Sequence, residues 1–359
     1  MKGWSMEARW LVPFFALVAV LFTLASAFGR LHDVDPFSIV GPYASRIFSL
    51  APIVIFVAFC GFVTLCAIRR ETQPIGATLR MLSGRFGSPA ALLGTIAATL
   101  AIPILMGSFG LMKMTMPLTA PFAWDDTLAR VDRILFFGVD PWRLTHALFG
   151  APLPTRIIDI AYTLWVPLVM IGVLAAGLAR PELRARYFLS FASSWLLIGT
   201  VGAYLLSSAG PCFSANIGAE TAAWFQPLME RLHAQDDAVG MGAVKWQAVL
   251  WESHAGKEYA FARGISAAPS MHNAICMLYV LATARASLSV RVAARLFAVV
   301  ILIGSVHTGW HYAVDGLLGW ALAFAIWQAT GAFLRRVGYS GAALQPAPAG
   351  ARSGEIAAA

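Results

Sequence analysis

Charged residues are scarce in this sequence. Only 12% of its 359 residues are Asp, Glu, Lys or Arg, and 59% are hydrophobic. An average soluble domain carries about 25% charged residues, and a soluble fold of this size has too little interior to hide so much apolar surface. The composition therefore excludes a soluble enzyme, a disordered protein and a coiled coil, and it predicts a multi-pass α-helical membrane protein.

Cysteine is also rare, with four residues in the chain. Cys60, Cys66 and Cys276 lie in long apolar segments, and only Cys212 lies outside them. A single thiol outside the membrane spans has no partner for a structural disulfide, so the sequence excludes a disulfide scaffold.

Long apolar runs are abundant. A bilayer core needs about 20 mostly apolar residues per helix, and eight segments qualify, although the sixth and seventh are short by apolar count. They cover residues 10–28, 47–68, 89–112, 157–178, 187–206, 270–284, 292–306 and 312–334. The predicted fold class is all-α and polytopic, with about eight transmembrane helices. Residues 25–27 resemble a signal-peptide cleavage site, but an apolar run of about 17 residues favours a retained first helix.

The net charge of +8 is distributed unevenly among the segments outside these spans. With a cytoplasmic N-terminus, the inside segments carry 15 of the 26 basic residues and four acids, a balance of +11. The outside segments carry 11 basic residues and 14 acids, a balance of −3. Because basic residues mark cytoplasmic loops, the surplus indicates topology, and no nucleic-acid partner is expected. Arginine outnumbers lysine 22 to 4, which indicates a GC-rich bacterial source and hence an inner-membrane location.

The spans divide the chain into three regions. Residues 1–88 hold two N-terminal transmembrane helices, and residues 89–336 form a six-helix membrane domain with external loops at 113–156 and 210–269. Residues 337–359, rich in Gly, Ala, Pro and Ser, are predicted to be a disordered cytoplasmic tail.

The two external loops have different characters. In the first, apolar residues recur at helical spacing between Trp124 and Phe136, which predicts an amphipathic helix at the membrane interface. Its Asp125 and Asp126 are interpreted as ordinary first-turn acids. The second loop is long and holds three tryptophans, which favours a cap over a site at the outer face.

Ionisable residues inside membrane spans mark functional sites, and here they concentrate around the junction of the last two spans. His311 and Asp315 are four residues apart, so on a helix they share a face. The carboxylate can then hold the imidazole in one tautomer and leave its other nitrogen free to attack or to accept a proton. His307 lies four residues before His311, and Gly309 separates the two. These residues belong to a first polar string, residues 305–316.

A second polar string, residues 264–273, opens the sixth span. Pro269 and Ser270 suit a helix start, which places His272 in the first turn. The charge pattern puts this end on the same outer face as His311, so the two strings are predicted to meet. A helix N-terminus binds anions, which makes phosphate a fitting ligand. A third string, with Gly210 and Pro211 at the end of span five, brings backbone close to whatever binds there.

These strings carry a resemblance to a known family. Pro269-Ser270-Met271-His272 and His311-Tyr312-Ala313-Val314-Asp315 resemble the second and third signatures of the type 2 phosphatidic acid phosphatase superfamily. The pattern is most similar to the branch that contains inositol phosphorylceramide synthase, and Gly210-Pro211-Cys212 falls where that branch has its first signature. The resemblance covers about residues 90–336. It implies a six-helix phosphatase-type core, a lipid substrate, and neither metal nor other cofactor.

The resemblance also implies roles for individual residues. His311 would be the nucleophile on phosphorus, Asp315 its orienting partner, and His272 the general acid and base of a phosphohistidine mechanism. The usual lysine followed by Arg-Pro is absent from the first signature, and so is the usual arginine of the third. Arg263 is then the first candidate for the phosphate clamp, with Lys257 and His307 behind it. The phosphate-binding or substrate-binding set is completed by Ser270 and Gly210.

Two other classes of function stay open at the level of sequence. His307, His311, Asp315 and His272 are residue types that could form a zinc site of an intramembrane hydrolase. A transporter with a His/Asp proton relay is the second alternative. For Arg263, contact with lipid headgroups is the competing interpretation. The sequence thus favours a lipid phosphatase or phosphotransferase, with headgroup transfer of the inositol phosphorylceramide synthase type as the main expectation.

Overall fold

The computed structural model describes residues 2–339, and all the regular structure in that range is helical. The helices are α1 (Lys2–Leu31), α2 (Pro36–Ile68), α3 (Pro74–Phe86), α4 (Pro89–Thr119), α5 (Asp125–Leu135), α6 (Pro141–Phe149), α7 (Pro152–Thr163), α8 (Trp165–Gly177), α9 (Pro181–Leu196), α10 (Ala203–Leu205), α11 (Ala222–Val239), α12 (Gly242–Ala255), α13 (Met271–Ala282), α14 (Leu288–His307) and α15 (Ala313–Arg336). A π-helical stretch, Leu197–Gly202, joins α9 to α10, and Pro211–Phe213 forms a 3₁₀ turn. The predicted all-α class is confirmed.

Seven helices of the described chain are long and apolar enough to cross a membrane. They are Gly3–Leu31, Pro36–Ile68, Pro89–Thr119, Pro152–Gly177, Pro181–Leu205, Leu288–His307 and Ala313–Arg336. The chain is therefore a multi-pass membrane protein. The prediction of about eight full-length spans differs at the sixth, because α13 has only 12 residues.

The length of α13 has a structural reason. At about 1.5 Å per residue its 12 residues span roughly 18 Å, against roughly 30 Å of hydrocarbon. Its N-terminus lies deep in the bundle, where the Ser270 amide donates to the Asp315 carbonyl (3.1 Å) and the Asn273 amide side chain donates to Ser305 Oγ (3.4 Å). α13 therefore begins among buried residues and is too short to cross the hydrocarbon core by itself.

Helix packing brings α13 to the centre of the second half of the bundle. It packs against α9, α14 and α15, while α1 and α2 both pack against α4. Small residues allow close approach of membrane helices. At Gly107 on α4, for example, a Cβ atom would lie 2.7 Å from the Cα atom of Val40 on α2.

Two segments cover the end of the bundle that carries His311. The first folds as α5 and α6, and the second as the 3₁₀ turn, α11 and α12. Leu128, Trp142, Leu228 and Tyr312 are buried together in the apolar cluster between these segments and the bundle. The first segment begins later than predicted, because α4 continues to Thr119.

The predicted disordered tail is described only at its start. Residues 340–359 lie outside the described residues, but Tyr339 is buried and its hydroxyl donates to Glu7 Oε1 at 3.4 Å. The Gly338 carbonyl accepts from Arg9 (2.7 Å). The chain is thus tied to α1 for at least three residues beyond α15.

Candidate active site

His272 and His311, from the two predicted strings, lie side by side. Their ring centroids are 5.7 Å apart with a 62° angle between the ring planes. His272 occupies the first turn of α13, and His311 lies in the link between α14 and α15. They are 39 residues apart in the sequence, and the antiparallel packing of α13 against α14 brings them together.

The local sequence explains how each histidine is held. Ser270 caps α13, its Oγ accepting from the Asn273 amide (3.4 Å). After α14 ends at His307, Gly309 adopts φ +73°, a conformation that favours glycine. The chain then folds back so that the His311 amide donates to the Ser305 carbonyl (3.1 Å).

Asp315 lies beside His311, but the two do not share a helical face as predicted, because α15 begins at Ala313 and His311 precedes it. The distance from His311 Nδ1 to Asp315 Oδ2 is 3.6 Å, which is longer than a hydrogen bond. The same carboxylate oxygen accepts from the Tyr312 amide (3.1 Å), which caps α15 and fixes the carboxylate. His311 Nδ1 and Asp315 Oδ1 are buried and have no hydrogen-bond partner within residues 2–339. Catalytic hydrogen bonds are often long before substrate is bound.

Two aromatic side chains that the sequence analysis did not single out enclose His272. The Tyr162 ring stacks on its imidazole at 4.7 Å and 19°, and the Trp165 ring lies at 4.0 Å and 36°. Trp165 Nε1 also donates to the His272 carbonyl (3.1 Å). Both come from the α7–α8 junction, and no signal in the sequence relates that junction to α13.

Lys113 of α4 is a basic residue whose charge acts on the site, and nothing in the sequence marks it for that role. Its ammonium acts electrostatically on both His272 and His311, and it forms no ion pair in the described part of the chain. Gly264, at φ +96°, lets the second string run against the Lys113 backbone, since a Cβ atom there would lie 3.0 Å from the Lys113 carbonyl carbon. The predicted external loop began at Lys113, but in the structure Lys113 is part of α4, which continues to Thr119.

The electrostatics of the site favour the neutral form of His311. Burial, and then the Lys113 ammonium, lower the pKa of His311 to about 3, with the Ala267 carbonyl acting in the opposite direction. An imidazole with that pKa is unprotonated at neutral pH. Its lone pair is therefore available for attack.

His307 is not brought to the histidine pair. Its ring stacks on His146 at 3.9 Å and 12°, its Nε2 lies 2.9 Å from Thr155 Oγ1, and its Nδ1 lies 3.2 Å from Thr145 Oγ1. The chain reversal at Gly309 separates it from the face that His311 occupies. With both ring nitrogens engaged, nothing in this geometry supports the predicted phosphate contact.

The other predicted phosphate ligands are also engaged or exposed. Arg263 donates to the Val249 carbonyl of α12 (3.0 Å), and Lys257 is exposed. Ser270 Oγ is occupied as the cap of α13, where it also accepts from Asn273 Nδ2 (3.1 Å). The Gly210 amide donates to Asp125 (2.8 Å). None of the four is placed against the histidine pair by a contact within residues 2–339.

Two carboxylates of α5 tie the third string and α15 together. Asp125 accepts from the amides of Ala209 (2.9 Å) and Gly210 (2.8 Å) and from the Tyr312 hydroxyl (3.0 Å). Asp132 accepts from the amides of Ala313 (2.7 Å) and Val314 (2.8 Å) at the start of α15. Asp125 is therefore more than the ordinary first-turn acid expected from sequence, because it bridges two elements of the site.

Comparison with known proteins agrees with this geometry. The family model of the PAP2 superfamily matches residues 126–329, more than half of the chain, and the match includes His272, His311 and Asp315. No curated protein and no solved structure matches the chain. The family match supports a phosphatase-type enzyme that acts on lipid phosphates in a membrane. The chain belongs to the PAP2 superfamily.

Proposed function

We propose that this protein is a lipid phosphatase or phosphotransferase of the bacterial inner membrane that works through a phosphohistidine intermediate. The finer form of the proposal is transfer of a phosphoalcohol headgroup, as in inositol phosphorylceramide synthase, at the non-cytoplasmic face. The observation that carries it is the pair of histidines 5.7 Å apart, of which the buried one, His311, lies 3.6 Å from an aspartate. Nucleophilic catalysis on phosphorus needs one base held in a single tautomer and a second group that gives and takes a proton.

The residues divide this work as follows. His311 faces Asp315 through Nδ1, so Nε2 attacks phosphorus and forms the P–N bond. The P–O bond to the leaving alkoxide breaks, and His272 transfers its proton to that oxygen. Water or an alcohol then loses a proton to His272 and attacks phosphorus, which breaks the P–N bond and frees His311. Hydrolysis and transfer differ only in the acceptor.

Lys113 is the best-placed clamp for the phosphoryl oxygens. Its ammonium acts electrostatically on both histidines and has no carboxylate partner within 4.0 Å in residues 2–339. A lysine in that position neutralises charge that builds up on the phosphoryl group. It takes the place that the sequence analysis gave to Arg263, which is held by the Val249 carbonyl.

Replacing Lys113 by methionine is expected to lower kcat/KM by about 10- to 100-fold, since a hydrogen bond to a charged group is worth about 1.5–3 kcal/mol. Steady-state kinetics on a phosphate ester measure the change. Lys245→Met removes an exposed lysine of α12 and serves as the control. Wild-type kinetics for Lys113→Met would show that the phosphate is held by another residue.

The proposed function is tested with the purified full chain in detergent. Inorganic phosphate release from phosphatidic acid is expected, and it should persist in the presence of a chelator. Mass spectrometry of products formed with a phosphoinositide donor and a ceramide acceptor separates transfer from hydrolysis. Loss of activity on chelation, restored by zinc, would favour the metallohydrolase instead. No group of three or more His, Cys, Asp or Glu side chains in residues 2–339 is placed to hold a metal ion.

A further inference from the structure

The hydroxyl of Tyr162 is a buried polar group that the phosphohistidine scheme leaves without a role. The side chain is only 7% exposed, and its oxygen has no hydrogen-bond partner among the described residues. A buried tyrosine hydroxyl normally finds a partner, because leaving the donor unpaired costs free energy. The unpaired state therefore calls for a bound molecule that completes it.

The position of this hydroxyl is set by packing on both sides of the ring. One face stacks on the His272 imidazole at 4.7 Å. The ring also packs against α14, where Gly304 leaves room for it. A Cβ atom at Gly304 would lie 3.2 Å from Tyr162 Cδ2. The hydroxyl is thus carried by a ring that is in contact with His272, one member of the histidine pair.

Other polar atoms around the same pair share this lack of a partner. They are His311 Nδ1, Asp315 Oδ1 and Asn273 Oδ1. Asn273 is the residue that follows His272, and it is fully buried. Unpaired polar atoms on His311 and Asp315, which lie 3.6 Å apart beside His272, favour a polar occupant next to the histidine pair.

We propose that Tyr162 is a substrate-binding residue whose hydroxyl donates a hydrogen bond to the phosphoryl group of the bound ester. The inference rests on the proposed function, which supplies the phosphate. Tyrosine is suited to this task because it is a neutral donor and adds no charge beside Asp315. Its ring keeps His272 in place while its hydroxyl contacts the substrate. One side chain thus positions both the general acid, His272, and the phosphoryl group of the bound ester.

Tyr162→Phe is the decisive variant, since it keeps the ring on His272 and removes only the oxygen. We expect kcat/KM for phosphatidic acid to fall by about 10- to 100-fold, and the affinity for orthovanadate, a tetrahedral oxyanion without lipid, to fall by a similar factor. The melting temperature of the free protein should stay the same or rise, because an unpaired buried hydroxyl has been removed. A weaker effect on vanadate than on phosphatidic acid would place the contact on a lipid oxygen and overturn the assignment to the phosphoryl group.

Tyr187→Phe is the matched control, because its buried hydroxyl lies beside Tyr279 rather than beside the histidines. It should leave kcat/KM and vanadate binding unchanged. A Tyr162→Phe protein that melts at a lower temperature but binds vanadate as the wild type does would show a structural hydroxyl and overturn the proposal. If the wild-type protein neither binds vanadate nor releases phosphate, the proposed function itself fails. If the wild type and Tyr162→Phe both bind vanadate equally well, only the role of Tyr162 fails.

Discussion

His311→Ala is expected to abolish both turnover and covalent labelling by a lipid with radioactive phosphate. The side chain supplies the only nitrogen proposed to bond to phosphorus, so activity should fall by roughly 10³-fold or more, as for other nucleophile deletions. Rapid acid-free denaturation followed by electrophoresis measures the label, and phosphate release measures turnover. The label on the wild-type protein should be lost in acid and kept in base, which is the chemistry of a phosphoramidate.

The control for this prediction is His233→Ala, which removes an exposed histidine of α11. It should label and turn over as the wild type does. If His311→Ala kept activity near the wild-type level, the nucleophile would be another residue. The pair at 5.7 Å would then need a different division of roles.

His272→Ala is expected to separate the two halves of the reaction. Without a proton donor, phosphate release from a lipid substrate should fall by about 10²- to 10⁴-fold, the usual contribution of a general acid or base. With an activated ester such as p-nitrophenyl phosphate, the leaving group needs no proton, so His311 can still be phosphorylated. The second step still lacks its base, and label should accumulate above the wild-type level.

Burst kinetics with p-nitrophenyl phosphate test this directly. The expected trace is a burst of one nitrophenolate per active site followed by slow turnover. A His272→Ala protein that shows neither burst nor label would mean that His272 is needed for the attack itself. Trp165→Phe keeps an aromatic ring beside His272 and should show no comparable accumulation.

Several features of the site follow from local sequence, and these were predicted. The four-residue spacing keeps His311 and Asp315 close, but His311 precedes α15, so the cap formed by Asp315 on the Tyr312 amide sets their contact rather than a shared helical face. His272 follows a proline and a capping serine, which place it in the first turn of α13. Their meeting follows from topology, since the end of one span and the junction of two others lie at the same face of the membrane. The short spacing within each string and the order of the spans along the chain are therefore enough to predict that these residues lie near one another.

Other features depend on contacts between helices that are distant in sequence. Lys113 was assigned to a loop because α4 runs past the expected end of its span, to Thr119. Tyr162 and Trp165 reach His272 only because the α7–α8 junction packs there. His307, four residues before His311, instead meets His146 because Gly309 reverses the chain. Spacing on a single helix does not predict any of these pairings.

The sequence by itself determined the membrane class, the positions of most spans and the three residues proposed for the chemistry. These depend on composition and on repeats of a few residues, which the physics of a bilayer and of a helix translates directly into structure. The tertiary structure decided what surrounds those residues: the short α13 with its buried N-terminus, the lysine of α4 whose charge acts on both histidines, the aromatic enclosure of His272, and the two aspartates of α5 that bind neighbouring segments of the site. Such contacts result from how side chains of separate helices fit together, and no periodicity along the chain encodes that fit.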